Sequence, residues 1–222
     1  MFRFCAGTFV VGIVFGTTLL NAAAPENLRQ SFETLLPGMG AEKIAESQSA
    51  QQQWENICLN LCKPGKEPGR IEASRLMAEN LGPDTPSGAR IWLLRQLEYL
   101  GGRESVAAIA AAMDDEDLLV GRAARRALTN NPSAEASQQL VAKLARAEDP
   151  VFKIGLLNAL AYRADPSTVA AAAKPLNDTN LAVVAAAARA LGEIGTPEAA
   201  ANLKKARKNS PLQLREVLGN AS

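Results

Sequence analysis

Apolar positions recur at helical spacing through the second half of the chain. Val120, Ala123, Ala124, Ala127 and Leu128 follow i, i+3, i+4, i+7, i+8, and Leu181, Val184, Ala188 and Leu191 continue the same face in a later segment. The pattern also repeats. Four segments stack on Leu97, Leu128, Leu160 and Leu191, at steps of 31, 32 and 31 residues. Four residues before each leucine stand Leu93, Ala124, Leu156 and Ala187. Twelve after stand Ile109, Leu140, Ala172 and Leu203. Sixteen after stand Met113, Leu144, Leu176 and Arg207, so that column fails in the last copy.

Turn signals divide each copy in two. Gly101-Gly102, Asn130-Asn131-Pro132, Asp165-Pro166 and Gly195-Thr196-Pro197 mark one turn. Asp114–Asp117, Glu148-Asp149-Pro150 and Asn177–Asn180 mark the other. The acidic and Asn residues there precede helix starts, where a side-chain oxygen satisfies free N–H groups and negative charge suits the dipole. Each copy is therefore expected to be two helices of about 10–13 residues. No segment sustains strand alternation, and the recurrent turns exclude a heptad coiled coil. Residues 101–210 hold 30 alanines and two aromatics, Phe152 and Tyr162. Small side chains let helix axes approach closely. One such hairpin buries too little to stand alone, whereas stacked neighbours share a core. The expected fold class is all-α, an α-solenoid of stacked helical hairpins.

Two segments carry a family resemblance, Val120-Gly-Arg-Ala-Ala-Arg-Arg-Ala-Leu128 and Val183-Val-Ala-Ala-Ala-Ala-Arg-Ala-Leu191-Gly-Glu-Ile-Gly195-Thr-Pro-Glu-Ala-Ala200. They resemble HEAT repeats, and the short bacterial form named after phycobilisome lyases in particular. The resemblance covers about residues 86–210 and implies an armadillo-like superhelix with a protein-interaction role. In that family the second helix of each unit usually lines the concave surface. By position those helices are about 104–113, 134–146, 167–176 and 197–207. Gln139, Lys143, Lys174 and Lys205 are then the candidate partner-binding residues, on a modestly basic inner surface.

The remaining segments are read separately. Leu28, Phe32, Leu35 and Leu36 suggest a short helix ended by Pro37-Gly38. A longer helix runs from Ala41 to about Cys62. The Lys63–Gly69 stretch breaks it, and a third helix carries Ile71, Ser74, Arg75, Met77, Ala78 and Leu81. Residues 25–85 are expected to form a cap or divergent repeats, with Trp54 and Trp92 structural. Residues 211–222, opening on Pro211, begin a further, incomplete repeat or a C-terminal cap. Truncation of a longer array is one expectation there.

The N-terminus reads as an address. Arg3 precedes an uncharged, mostly apolar run from Phe4 to Ala24 that ends in Ala22-Ala23-Ala24. This describes a secretory signal peptide over residues 1–24, cut after Ala24 or one or two residues earlier. A retained anchor is the alternative. Export to the periplasm or outside the cell is the expectation. Cys58 and Cys62 lie four apart on one helical stretch with Trp54, either as buried thiols or as a local disulfide. Cys5 lies within the leader.

Composition narrows the chemistry. Among 222 residues there is no histidine, which removes Ser-His-Asp and Cys-His catalysis and histidine metal ligands. Twenty-four Lys and Arg face 23 Asp and Glu, so no overall field favours nucleic acid or an anionic membrane. No Walker A, GxGxxG or GxSxG motif is present. Asp114–Asp117 lacks the Gly and Glu of an EF-hand and reads as a solvated cap. Arg122, Arg125 and Arg126 read as an outer solvated face. The expected function is a non-catalytic exported scaffold for a protein or peptide, with no cofactor, no metal and no nucleic acid. The alternatives are a repeat domain of a larger exported enzyme, or tetrapyrrole lyase-like activity suggested by the family's name.

Overall fold

The computed structural model describes residues 25–209, so the leader at 1–24, with Cys5, and the segment 211–222 lie outside the described residues. The described residues form α-helices joined by short turns, some of them 3₁₀, with no strand among them. In chain order the helices are α1 (Pro25–Met39), α2 (Ile44–Leu61), α3 (Glu67–Glu79), α4 (Ser87–Leu100), α5 (Val106–Ala112) and α6 (Leu118–Asn130). They continue with α7 (Ala134–Leu144), α8 (Pro150–Arg163), α9 (Val169–Ala173), α10 (Leu181–Ile194) and α11 (Pro197–Asn209).

Apart from α2 and α4, helices two apart in sequence lie side by side. α4, α6, α8 and α10 form one layer. α5, α7, α9 and α11 form the second, which α1 and α3 continue toward the N-terminus. This is an α-solenoid. One core runs from Leu28 to Leu203 through every hairpin. The repeat leucines Leu97, Leu128, Leu160 and Leu191 are fully buried, as are Leu93, Ala124, Leu156 and Ala187 four residues before them. Arg207 is exposed where the other copies bury Met113, Leu144 and Leu176.

The turn chemistry acts as expected at the first-helix starts. Asp117 accepts from Leu119 N at 2.9 Å, Asp149 from Phe152 N at 2.8 Å and Asn180 from Ala182 N at 2.9 Å. At the opposite end, Gly195 closes α10 with φ 66°, a left-handed cap that glycine adopts without steric cost.

Several expectations need correction. The first helix does not end at Pro37 but continues to Met39. A proline in the last turn removes a single ladder bond, and Met39 is fully buried. The Lys63–Gly69 breaker is shorter than its composition suggests, because Glu67, Pro68 and Gly69 already form the first turn of α3, where proline is tolerated. The expected helix over 167–176 is divided into 3₁₀ turns at Pro166–Thr168 and Lys174–Asn177 around the five-residue α9, with Pro166 and Pro175 in the two turns. Leu181, placed on the core stripe by spacing, is half exposed as the first residue of α10, and Val183 and Val184 fill the core instead.

Cys58 and Cys62 are free thiols and do not share an environment. Cys58 is buried beside Trp54 and Leu61, whereas Cys62 ends α2 in solvent. Trp54 is fully buried and meets Phe32 edge-on, with centroids 4.8 Å apart. Trp92 is also buried. No described helix is long and apolar enough to cross a membrane.

Candidate interaction surface

The outward face of α4, α6, α8 and α10 is built from columns that the repeat brings into line. Two residues before each aligned leucine stand Arg95, Arg126, Asn158 and Arg189. Neighbouring copies are tied through this column. Arg126 Nε donates to Glu98 Oε2 at 2.8 Å, and Arg189 donates to the Asn158 amide oxygen. One position earlier, Arg125 Nη1 donates to the Gly155 carbonyl at 3.0 Å. Gly155 leaves room for that reach, since a Cβ there would meet Arg125 Nε at 3.1 Å. Burial, followed by the charge of Arg122, lowers the pKa of the Arg125 guanidinium.

These side chains border a groove of about 460 Å³ across α4, α6 and α8, lined by Ile91, Arg95, Glu98, Arg122, Arg126 and Tyr162 among others. Arg95 and Arg122 are exposed and form no hydrogen bond or ion pair with another described residue. Glu98 is the opposite. Its side chain is 4% exposed, and Oε1 takes no hydrogen bond from any described residue. Arg122, Arg125 and Arg126 were expected on a solvated outer face. Arg122 and Arg126 are exposed and Arg125 is half-buried, and all three line this groove, because α4 and α8 flank α6 on both sides.

A second groove, of about 610 Å³, shares Arg122 and Arg125 with the first. It opens toward Asp114, Asp115, Lys143, Arg146, Asp149 and Phe152. The acidic run at its edge is more structured than a solvated cap. Asp114 pairs with Lys143, Asp115 pairs with the buried Arg90, and Asp117 caps α6. The Leu119 backbone N–H, then the Ser87 hydroxyl, hold the Asp117 carboxyl below its ordinary range.

The four residues expected on the second helices fare differently. Lys143 lines the second groove, with its amine engaged by Asp114 and its side chain 13% exposed. Gln139 is half-buried on α7. Lys174 is exposed at its 3₁₀ turn, and Lys205 is exposed on α11. These three line neither groove.

The first-helix layer carries a feature that the sequence reading missed. Tyr99, Leu118, Leu119, Val151, Tyr162 and Leu181 are all at least half exposed, and all lie on α4, α6, α8 or α10. Apart from these, the exposed large apolar side chains among the described residues are Ile44 and Leu59 on α2. Tyr99 and Tyr162 occupy one column, two residues after their aligned leucines. Leu119 and Val151 share another, nine residues before theirs. The signal lay in columns flanking the leucine rather than in the leucine column itself.

Residues 137–221 match the family model of HEAT repeats. No curated protein matches the chain in sequence. Among solved structures it is similar to human deoxyhypusine hydroxylase in complex with glycerol, with TM-score 0.48 and 15% identity over 87% of this chain and 95% of that one. It is also similar to a designed armadillo repeat protein, with TM-score 0.46 and 17% identity over 87% of this chain and 98% of that one. Another designed armadillo repeat protein, in complex with the peptide (KR)4, gives TM-score 0.42 and 16% identity over 87% and 97%. The two-layer hairpins of α4 to α11 thus form an α-solenoid, of which residues 137–221 match HEAT repeats.

Proposed function

We propose that the chain is an exported, non-catalytic scaffold that binds a protein or peptide segment on the face formed by α4, α6, α8 and α10. One observation carries this reading. Tyr99, Leu118, Leu119, Val151, Tyr162 and Leu181 stand exposed on these helices, and Leu119 and Tyr162 line one groove with Arg95 and Arg122, which pair with no described residue. Tyrosine and arginine are the side chains enriched at protein interfaces, because they combine a large apolar area with hydrogen-bonding ends. The contact is thereby assigned to the layer opposite Lys174 and Lys205, with Lys143 at its rim. Export rests on the Phe4–Ala24 run and the small residues that close it.

A photo-crosslinking residue placed at Tyr162 should capture a partner in the native compartment, and the same residue at Lys205 should not. Equal capture at both positions would reject the assigned face. N-terminal sequencing of the mature chain reports on export, with a start at or just before Pro25 expected.

A further inference from the structure

We infer that the groove across α4, α6 and α8 holds a short acidic peptide segment, whose carboxylates meet Arg95, Arg122 and Arg126 and whose backbone N–H donates to Glu98 Oε1. This deepens the scaffold reading and rests on it. Two independent observations converge. The first is charge. Four guanidiniums, those of Arg95, Arg122, Arg125 and Arg126, line the groove against the one carboxylate of Glu98. That carboxylate is already offset by Arg126 Nε at 2.8 Å, while the Arg126 side chain remains 67% exposed and presents its outer nitrogens. Planar guanidiniums bind carboxylates in a two-pronged geometry, which favours this anion class.

The second observation is Glu98, which lines the groove and whose buried Oε1 takes no hydrogen bond from any described residue. A buried oxygen without a donor is costly, and a small shift of the Glu98 side chain on binding lets a peptide N–H in the groove supply one. A purely anionic ligand without donors leaves that oxygen unpaired and adds repulsion. A peptide carries both groups at once.

The surroundings limit the length of the ligand. The adjoining groove that shares Arg122 and Arg125 is lined by Asp114, Asp115, Glu148 and Asp149 as well as Lys143 and Arg146, with Lys143 paired to Asp114 and Asp115 to Arg90. Charge is balanced there, so a long phosphodiester backbone extending from the guanidiniums gains no further net attraction, whereas a short acidic segment ends before it. A groove of about 460 Å³ suits a ligand of that size.

The test is fluorescence anisotropy on the full chain with labelled (Glu-Gly)4, (Gln-Gly)4 and a 12-nucleotide oligo-dT. The glutamate peptide is expected to bind about tenfold tighter than the glutamine peptide at low salt and to lose that margin at high salt. The double variant Arg95→Glu, Arg122→Glu should abolish the preference. Circular dichroism checks its fold, and the neutral pair Arg95→Gln, Arg122→Gln gives the same reading if the charge reversal unfolds the chain. Methylating the peptide nitrogens should weaken binding several-fold in the parent protein and have no effect in Glu98→Ala. Equal binding of the two peptides, tighter binding of oligo-dT, or a methylation effect that survives Glu98→Ala would each overturn the inference. If the peptides fail while Tyr162 still crosslinks a partner, the acidic specificity is wrong and the scaffold reading stands. If neither binds, both fall.

Discussion

Arg163 Nη1 donates to the carbonyl of Leu128 at 2.9 Å, tying the end of α8 to the last turn of α6 one repeat earlier. The same guanidinium reaches Ser133 O through Nη2 and Ser137 Oγ through Nε, both at 2.8 Å. The carbonyls at a helix C-terminus lack partners within their own helix, and this one side chain supplies donors across the repeat boundary. The neighbouring Asn131 does related work in the other direction, donating Nδ2 to Gly102 O at 3.0 Å. The junctions between copies are thus held by polar clamps as well as by apolar packing.

Arg163→Ala should therefore destabilise the chain by about 2–4 kcal/mol, since several half-buried acceptors lose their donor together. Arg163→Lys should recover only part of the loss, because an ammonium cannot span the fork. Urea denaturation measures both. A loss below about 0.5 kcal/mol for Arg163→Ala would show that the clamp is ornamental.

The ion pair of Arg90 and Asp115 joins α4 to the turn before α6, and the two side chains are 8% and 13% exposed. Asp115→Asn keeps an acceptor for the Asp117 N–H but leaves the Arg90 charge buried without its counter-ion. A loss of about 3 kcal/mol is expected. Combining it with Arg90→Met should return much of that loss, and a double-mutant cycle by chemical denaturation reads the coupling.

The two described cysteines should differ sharply in reactivity. Burial first, then the nearby Cys62 and Glu55, push the Cys58 thiol from 9.0 up to about 12. In the native protein, a thiol reagent at pH 8 should label Cys62 within minutes and reach Cys58 only on unfolding. The sign of the linkage follows. The folded pKa is raised, so the neutral thiol stabilises the fold fully below about pH 9 and loses that contribution as pH rises toward 12. Mass spectrometry of labelled peptides distinguishes the sites, and rapid native labelling of Cys58 would contradict its placement.

Acid should act through the turns. Lys153 Nζ, 2.8 Å from Asp178, together with the Asn180 N–H, holds the Asp178 carboxyl below its ordinary 3.8. A depressed folded pKa gives stability that is present above about pH 4 and lost as pH falls further, because the unfolded chain takes up the proton first. Lys153→Met should shrink this acid-dependent part of the melting temperature between pH 5 and 2. An unchanged pH profile would argue that the pair is inert.

The hairpin stack was legible from sequence because its physics is local and periodic. Leu128 must be buried every time the unit recurs, so the column shows in one dimension. Asp117, Asp149 and Asn180 cap helices that begin within three residues of them, so their roles were also visible. The fate of Cys62 was not, because a helical face says which residues align but not where the helix stops against its neighbours.

The sequence by itself determined an all-helical repeat, its period, its turns and its buried columns, since each follows from spacing and side-chain size. Tertiary structure alone decided which side chains meet across helices to line a groove. Arg95 and Glu98 sit on α4 and Arg126 on α6, and only packing α4 against α6 brings Arg126 to 2.8 Å from Glu98. That same packing buries Glu98 Oε1 without a donor among the described residues. A groove is a property of distances between helices, and no residue order along a single helix encodes them.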